Sequence, residues 1–531
     1  MKRLFNITIA FVVLMLTTNS CMKDLDTVPI DPDQVTSVEL FENPESYKHV
    51  LAKLYAGLAV SGQTGPHGNS DISGLDEGYG QYLRALWHHQ ELTTDEAVIS
   101  WNDQTIKDYH WQTWGTTDVF IANFYYRVFY QISAVNEFIR ETSESNLDER
   151  GVSGQLRTDI GYFRAEARWL RALSYWHAMD NYANVPFVTD SDPVGAFFPE
   201  QISRSDLFNY IEGELVAIEP LMMDSRSNEY ARADKAAVWM LLAKLYQNAE
   251  VYTGIEKYTD CITYCKKIIE AGYSLEVDYS HLFLADNYLA NNEIIFTVAY
   301  DGVFTRTWGG TTAIIHAGVG GEMEPLDYGV DGGWGGTRTT SALVNKFEDI
   351  TGETDQRAMF FTEGQSLEIN DISLFTDGYA IIKFKNLDRD GNVGSDLTHV
   401  DTDFPMFRLA DVYLMYAEAV LRGGQGGDVG EALNFVNLVR KRAYGGNSNG
   451  EITSGELTLD FIIDERAREL YWEGHRRTDL IRYNLFTGGA YLWPWKGNLK
   501  EGRATDSKFN LFPIPDSDIG ANPNLVQNPG Y

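Results

Sequence analysis

The chain has 531 residues, 44% of them hydrophobic, and a formal net charge of −33. So acidic a field repels phosphate backbones and anionic headgroups, which excludes nucleic acid as a partner and argues against an anionic lipid surface. An acidic polysaccharide is equally disfavoured unless its site is locally basic.

Residues 1–20 read as a targeting segment. Lys2 and Arg3 give a short positive start, residues 4–16 are apolar apart from Asn6 and Thr8, and residues 17–20 are small or polar before Cys21. The apolar run is too short to span a bilayer as a stable helix, so it predicts a signal peptide. A cysteine placed directly after it predicts a lipoprotein signal, with Cys21 lipidated and the chain cut before it. An ordinary secretory signal with an incidental cysteine is the alternative. Losing Lys2 and Arg3 takes the mature charge to about −35. No second run of apolar residues is long enough to cross a membrane. About 510 mature residues exceed what one compact core usually supports, which predicts two sub-regions or an extended helical array.

Helical periodicity dominates the mature chain. A first helix is expected over residues 46–59, then a loop-rich zone over about 61–114. Ile121, Tyr125, Val128, Ile132, Val135 and Ile139 recur at steps of four and three, one apolar stripe on a long helix. Phe163, Ala167, Leu170 and Leu173 form the next stripe, with Arg164, Arg168 and Arg171 on another face. Val238, Leu242, Leu245 and Ala249 repeat the pattern, and a shorter helix is expected around residues 261–269. Cys261 and Cys265 share a face of that helix, where the geometry strains a disulfide, so both read as small buried hydrophobes. Between about 274 and 404 the texture changes to short β-rich pieces (residues 294–299 and 380–384) among glycine pairs. Helices return over residues 409–420, 432–439 and 459–470, and the proline-rich tail, residues 512–531, is expected to lie extended over the surface.

The expected fold is mainly α. Neighbouring helix pairs with alanine at the contacts predict a tetratricopeptide-like helical-hairpin scaffold with an irregular insert of loops and short strands. The expected divisions are a signal peptide over 1–20, an N-terminal helical region over 21–273 that includes the 61–114 loops, the insert over 274–404, and a C-terminal helical region with its tail over 405–531.

Four stretches, in order along the chain, resemble the SusD/RagB family of surface nutrient-binding lipoproteins. They are AEARWLRALSYWHAMDNYANVP (residues 165–186), RLADVYLMYAEAV (408–420), IIDERARELYWEGHRRTDLIRYN (462–484) and FPIPDSDIGANPNLVQNPGY (512–531). In the first, Ala183 stands where the family more usually has glycine. The resemblance implies the helical fold with a ligand-presenting irregular region. It also implies an outer-membrane location facing the cell exterior, and a partner, a SusC-like TonB-dependent barrel over which the protein sits as a lid. The cargo it implies is an oligo- or polysaccharide, with a peptide, as in the RagB branch, left open. Within the third stretch, Glu465, Glu469 and Glu473 lie at four-residue steps near Arg466 and Arg468, which reads as charge-laced helix pairing rather than an acid/base pair.

Sugars present flat C–H faces ringed by hydroxyls, so a site for them needs exposed aromatic platforms beside polar side chains. Tyr125, Trp169, Trp176, Trp239 and Trp472 lie on helix stripes and are expected in the core, while Trp111 and Trp114 are expected to pack before the long helix. The loop aromatics are the candidates: Trp101 beside Asn102, Asp103 and Gln104; Trp308 before a glycine pair; Trp334 between two glycine pairs; and Tyr79 and Tyr328 with Asp76 and Asp327 at hand. Glycine neighbours leave such rings open to a ligand. The family resemblance covers these loops by region only, and packing on the scaffold is the alternative for each.

No catalytic residue, cofactor or metal is expected. No GxSxG, HExxH or phosphate-loop pattern appears in the strand–helix context that such chemistry needs. Paired carboxylates decide nothing in a chain with 76 acidic residues, so a surface glycoside hydrolase and a pure protein scaffold remain as other classes. His88 and His89 beside Glu91 and Asp95 would point to opposite sides of a strand, which does not suit a metal. LDRDGNVGSD (residues 387–396) lacks the glycine and closing glutamate of a calcium loop and reads as a hairpin turn.

Overall fold

The computed structural model describes residues 37–531, apart from 64 and 66–69. The predicted signal peptide and Cys21 lie outside the described residues. The main helices are α1 (Ser46–Ala59), α2 (Tyr82–Trp87), α3 (Gln104–Trp111), α4 (Val119–Glu141), α5 (Gly154–Tyr182), α6 (Arg204–Ile218), α7 (Lys235–Gln247), α8 (Tyr258–Glu270), α9 (Gly310–Gly318), α10 (Leu409–Leu421), α11 (Val429–Ala443), α12 (Leu459–Leu470) and α13 (Arg476–Arg482). They pack in sequence-neighbouring pairs, α4 on α5, α5 on α6, α7 on α8 and α10 on α11, and α8 joins the second set to the third through α10. Among the described residues no helix is long and apolar enough to cross a membrane.

The helices start where side-chain oxygens cap them. Asp118 Oδ1 accepts the N–H groups of Phe120 and Ile121 at 2.9 and 3.1 Å, Asp234 Oδ1 accepts that of Ala236 at 2.8 Å, and Thr458 Oγ1 accepts that of Phe461 at 3.2 Å. The stripe from Ile121 to Ile139 is buried along its whole length against α5. Cys261 and Cys265 are free buried thiols in the α8 face, as their spacing predicts.

Strands are few and short. β1 (Val98–Ile99) pairs with β5 (Thr337–Arg338), β2 (Val185–Pro186) with β3 (Gln201–Ile202), β4 (Ile294–Val298) with β8 (Phe404–Arg408), and β6 (Phe360–Phe361) with β7 (Ala380–Ile381), all antiparallel. Residues 387–393 do form a hairpin: Leu387 faces Val393, and Gly391 takes φ +82 at the turn.

Three expectations are corrected. The zone expected as loops up to residue 114 contains α2, a π-helical turn (His88–Leu92) and α3, and residues 80–99 are buried throughout. His88 and His89 therefore sit on a helical turn rather than a strand. His89 stacks on Phe512 at 4.1 Å, Asn181 Oδ1 lies 3.1 Å from its Nδ1, and burial drives its pKa down to about 3. Among the described residues no group of three His, Cys, Asp or Glu side chains gathers as a metal site. The tail, finally, is threaded into the body. Phe512 and Ile514 are fully buried, the Phe512 N–H donates to the Asn181 carbonyl at 2.8 Å, and the Trp114 indole N–H donates to the Tyr531 hydroxyl at 2.7 Å.

The carboxylates of the third family-like stretch are tied into a buried ion network. Glu469 meets Arg408 at 2.6 Å and Arg357 at 3.2 Å, and also pairs with Arg442. Glu465 meets Arg357 at 2.7 Å and Arg440 at 2.8 Å, and Glu473 meets Lys383 and Arg408 at 2.6 Å each. The pairing reading holds, with two differences. Arg466 turns away to Asp411 and Asp479, and Glu473 lies past the end of α12, beyond Trp472 at φ +66. Burying so many charges is tolerable only because each carboxylate is shared between cations and hydrogen-bonded on both oxygens.

Candidate ligand-binding site

Three loops distant in sequence meet beside α2 and α9. Past β1 the Ser100 N–H and hydroxyl donate to the carbonyls of Gly336 and Gly335, at 3.0 and 2.6 Å. This continues the β1–β5 pairing and lays Trp101 against the DGGWGGTR segment. The Trp101 indole N–H then donates to the Trp334 carbonyl at 3.3 Å. A Cβ on Gly336 would fall 2.7 Å from the Trp101 indole, so that position must be glycine for the ring to lie where it does.

The Trp334 segment is held in turn by the C-terminal end of α9. The N–H groups of Trp334, Gly335 and Gly336 donate to the carbonyls of His316, Val319 and Ala317 at 2.7, 2.9 and 2.9 Å. His316 stacks on the Trp334 ring (centroids 5.0 Å apart, planes at 18°) and its two ring nitrogens face the carbonyls of Gly332 and Thr398. Trp308 comes from the turn that precedes α9. Its ring centroid is 6.2 Å from Trp334 and 4.6 Å from His399, while Trp101 lies 6.3 Å from Trp334 on the other side. The three indoles form an arc with Trp334 in the middle, each ring partly exposed.

Behind the arc stands Arg84 of α2. Its guanidinium lies 5.9 Å from the centroids of both Trp101 and Trp334, 4.1 Å from that of Tyr79, and donates to the Trp308 carbonyl at 2.8 Å. Its buried Nε has no hydrogen-bond partner among the described residues. Burial lowers the Arg84 pKa, with Tyr79 and Asp76 opposing that shift. Tyr79 stacks on Phe120 at 4.3 Å, and burial raises its pKa. Asp76 is exposed and accepts the N–H groups of Gly78 and Tyr79 at 2.8 and 2.7 Å, which fixes the turn that carries Tyr79. Asp103 is exposed at the start of α3, two residues past Trp101.

The structure thus brings Trp101, Trp308, Trp334, Tyr79 and Asp76 to one place, with Asp103 at its edge. Tyr328 is not among them. It is 6% exposed on a 3-10 turn (Pro325–Tyr328), with the Lys385 ammonium 5.2 Å from its ring and its carbonyl accepting from Asn386. Sequence reasoning missed Arg84, whose only signal was a charge inside the apolar helix YLRALW, and missed His316 and His399, which bear on two of the indoles. The site is an open arc. By contrast, the enclosed cavity lined by Trp87, Trp176, His177 and His475 offers about 30 Å³, room for one or two waters but not for a sugar.

Gly336→Ala is expected to push the Trp101 indole out of the arc and cost about 1–3 kcal/mol through overpacking. Near-UV circular dichroism and a denaturant titration check this. An unchanged aromatic spectrum would show that Trp101 is not held against Gly336.

A model of the SusD family matches residues 350–531. Over 100% of this chain and 99% of the other, the sequence is 36% identical to the starch-binding protein SusD of Bacteroides thetaiotaomicron. The chain belongs to the SusD family. A SusD-like protein, P25, of Formosa agariphila is 23% identical over 98% of this chain and 99% of its own. Solved SusD-family structures share the fold. A SusD superfamily protein from Bacteroides thetaiotaomicron matches with a TM-score of 0.68 at 18% identity, over 92% of this chain and 100% of the other. Surface glycan-binding protein A from Bacteroides thetaiotaomicron, solved in complex with laminarihexaose, matches with a TM-score of 0.65 at 21% identity, over 91% and 99%. The mainly α, tetratricopeptide-like scaffold expected from the sequence is the SusD fold, and in this member the glycine-rich insert contributes two of the three indoles.

Proposed function

We propose that this SusD family member binds a nutrient glycan across the arc of Trp101, Trp334 and Trp308, without catalysing a reaction on it. The observation that carries the reading is the convergence of three partly exposed indoles around one guanidinium. Indole faces stack on the C–H faces of sugar rings, while the exposed carboxylates of Asp76 and Asp103 offer hydrogen bonds to the hydroxyls around them. Aromatic faces, a guanidinium and turn-fixing carboxylates are a set for holding a ligand, not for breaking a glycosidic bond. Two relatives support the cargo class, one named as starch-binding and one as glycan-binding. On the same reading the protein sits on the exterior face of the outer membrane, anchored through lipid on Cys21, and hands its cargo to a SusC-like TonB-dependent transporter.

Affinity electrophoresis through gels containing starch or laminarin, with reducing-end assays on the same mixtures, tests it. Retarded migration in one gel with no release of reducing ends is expected. Free migration through a full polysaccharide panel, together with binding to mixed peptides, would replace the sugar with a peptide. Release of new reducing ends would make the protein a hydrolase.

A further inference from the structure

His316 stands in the last turn of α9 and is 1% exposed. Its Nδ1 lies 2.6 Å from the Gly332 carbonyl oxygen, and its Nε2 lies 2.9 Å from that of Thr398. A neutral imidazole carries one N–H and one lone pair, whereas a carbonyl oxygen only accepts. Both contacts are hydrogen bonds only when each ring nitrogen carries a proton, which makes the ring an imidazolium. In the neutral ring one lone pair would face a carbonyl oxygen, a buried mismatch that nothing in the pair can repair.

The surroundings suit a cation. The Trp334 indole lies flat on the ring, centroids 5.0 Å apart and planes at 18°, and turns its π face to the charge. The carbonyl end of α9 is the negative end of its dipole. The charged and titratable groups on the segments packed against α9 are Asp331, Asp396 and His399 beside the two carbonyls, Arg84 and His88 on and after α2, and Arg338 on β5. Asp331 accepts the Thr398 hydroxyl at 2.5 Å, and Asp396 accepts the N–H groups of Thr398 and His399 at 2.9 and 2.8 Å. Two carboxylates therefore stand one residue removed from the ring. Arg84 and Arg338 oppose its charge, while burial drives the His88 pKa well below the ordinary value and leaves that ring neutral.

The two hydrogen bonds join the supports of two indoles. Gly332 opens the segment that carries Trp334, whose N–H returns to the His316 carbonyl at 2.7 Å. Thr398 precedes His399, and the His399 ring packs 4.6 Å from Trp308. Only the doubly protonated ring holds both segments at once. We propose that His316 is a positioning residue that braces the arc while both its ring nitrogens carry protons, so that glycan binding strengthens as the pH falls. The sign follows from the geometry: raising the pH removes one proton, breaks one of the two bonds and frees the Trp334 and Trp308 segments from each other. This inference rests on the glycan-binding reading above and adds a regulation to that site.

Half of the test needs no ligand. Nuclear magnetic resonance of the whole protein with isotope-labelled histidine, at pH 5, should show one histidine with two slowly exchanging ring N–H protons, a pair that vanishes in His316→Gln. A single ring N–H at His316 overturns the proposal. Calorimetry with maltoheptaose and laminarihexaose between pH 5 and pH 8 is the other half. Wild-type affinity for the oligosaccharide that binds is expected to fall about tenfold as the pH rises, the worth of one hydrogen bond to a charged group. His316→Gln should be weaker at pH 5 and flat across the range, and His399→Gln should keep the wild-type slope. A flat wild-type profile, a slope that survives in His316→Gln, or a slope lost in His399→Gln overturns the proposal. Thermal denaturation reports whether His316→Gln folds; if it does not, the wild-type spectrum and the His399→Gln profile decide. If neither oligosaccharide binds at any pH, the glycan reading is overturned and this proposal with it, whatever the spectra show.

Discussion

Replacing Trp308 and Trp334 together with alanine is expected to reduce glycan affinity by two to three orders of magnitude while leaving the fold intact. Trp334 is the middle of the arc, flanked by Trp101 and Trp308 at 6.3 and 6.2 Å. A stacked indole at the centre of an interface is worth about 2 kcal/mol or more, and each 1.4 kcal/mol is tenfold in affinity. Trp308 adds a second face, so the two losses compound, although not additively, because the rings share a ligand. Both side chains are partly exposed already, and their backbones are held by hydrogen bonds that truncation does not touch. Isothermal titration against the polysaccharide that retards the wild-type protein reads the effect, with thermal denaturation as the control for folding. Tyr328→Phe, at a buried ring outside the arc, is the matched control and should bind normally. A double variant that keeps affinity within threefold of wild type sinks the site assignment.

Glu469→Gln is expected to destabilise the protein by about 3–5 kcal/mol, the usual cost of leaving buried cations short of their counter-ion. Three guanidinium groups, of Arg357, Arg408 and Arg442, converge on this one carboxylate, and all four side chains are almost completely buried. The same geometry sets an acid limit. Burial by itself pushes the Glu469 pKa up, yet Arg442, Arg408 and Arg357 together hold it at about 2, below the ordinary value of 4.5. A carboxylate depressed in the folded state contributes stability that is complete above about pH 4.5 and disappears as the pH falls toward 2. Glu465 is shifted in the same direction, its burial outweighed by Arg357, Arg468 and Arg440. Urea titrations between pH 6 and pH 3 should therefore show wild-type stability falling steeply, and Glu469→Gln starting lower but falling less. Parallel pH profiles for the two proteins would falsify the assignment of Glu469 as a source of acid sensitivity.

Much of the helical frame was legible in the sequence, for a simple reason. A stripe such as Ile121 to Ile139 is repeated turn after turn, and residues 46–59 and 459–470 are bounded by the helices that form there. What escaped was set by contacts between residues far apart in the chain. The helix Gly310–Gly318 opens with glycine and two β-branched threonines, a local pattern that argues for a loop, and it forms because its end receives the Trp334 segment. Residues 80–99 are short of periodicity because they are buried on every side. The tail is rich in proline and asparagine, yet Phe512 fills a space that its neighbours in sequence do not announce.

The site was legible in the same partial way. Indoles beside glycines or polar residues pointed to three loops, but nothing local says that β1 and β5, more than 230 residues apart, bring two of them together. Tyr328 has the same glycine neighbour as the others and is buried, because its surroundings include Lys385 and Asn386, which sequence spacing does not place. Arg84 looked like one more charge on a helix. Its importance lies in which rings surround it.

The threaded tail has a consequence for how the chain folds. Trp114 and His89, both early in the sequence, complete their packing only against Tyr531 and Phe512. These two contacts close loops of about 400 residues, which makes them late events in folding.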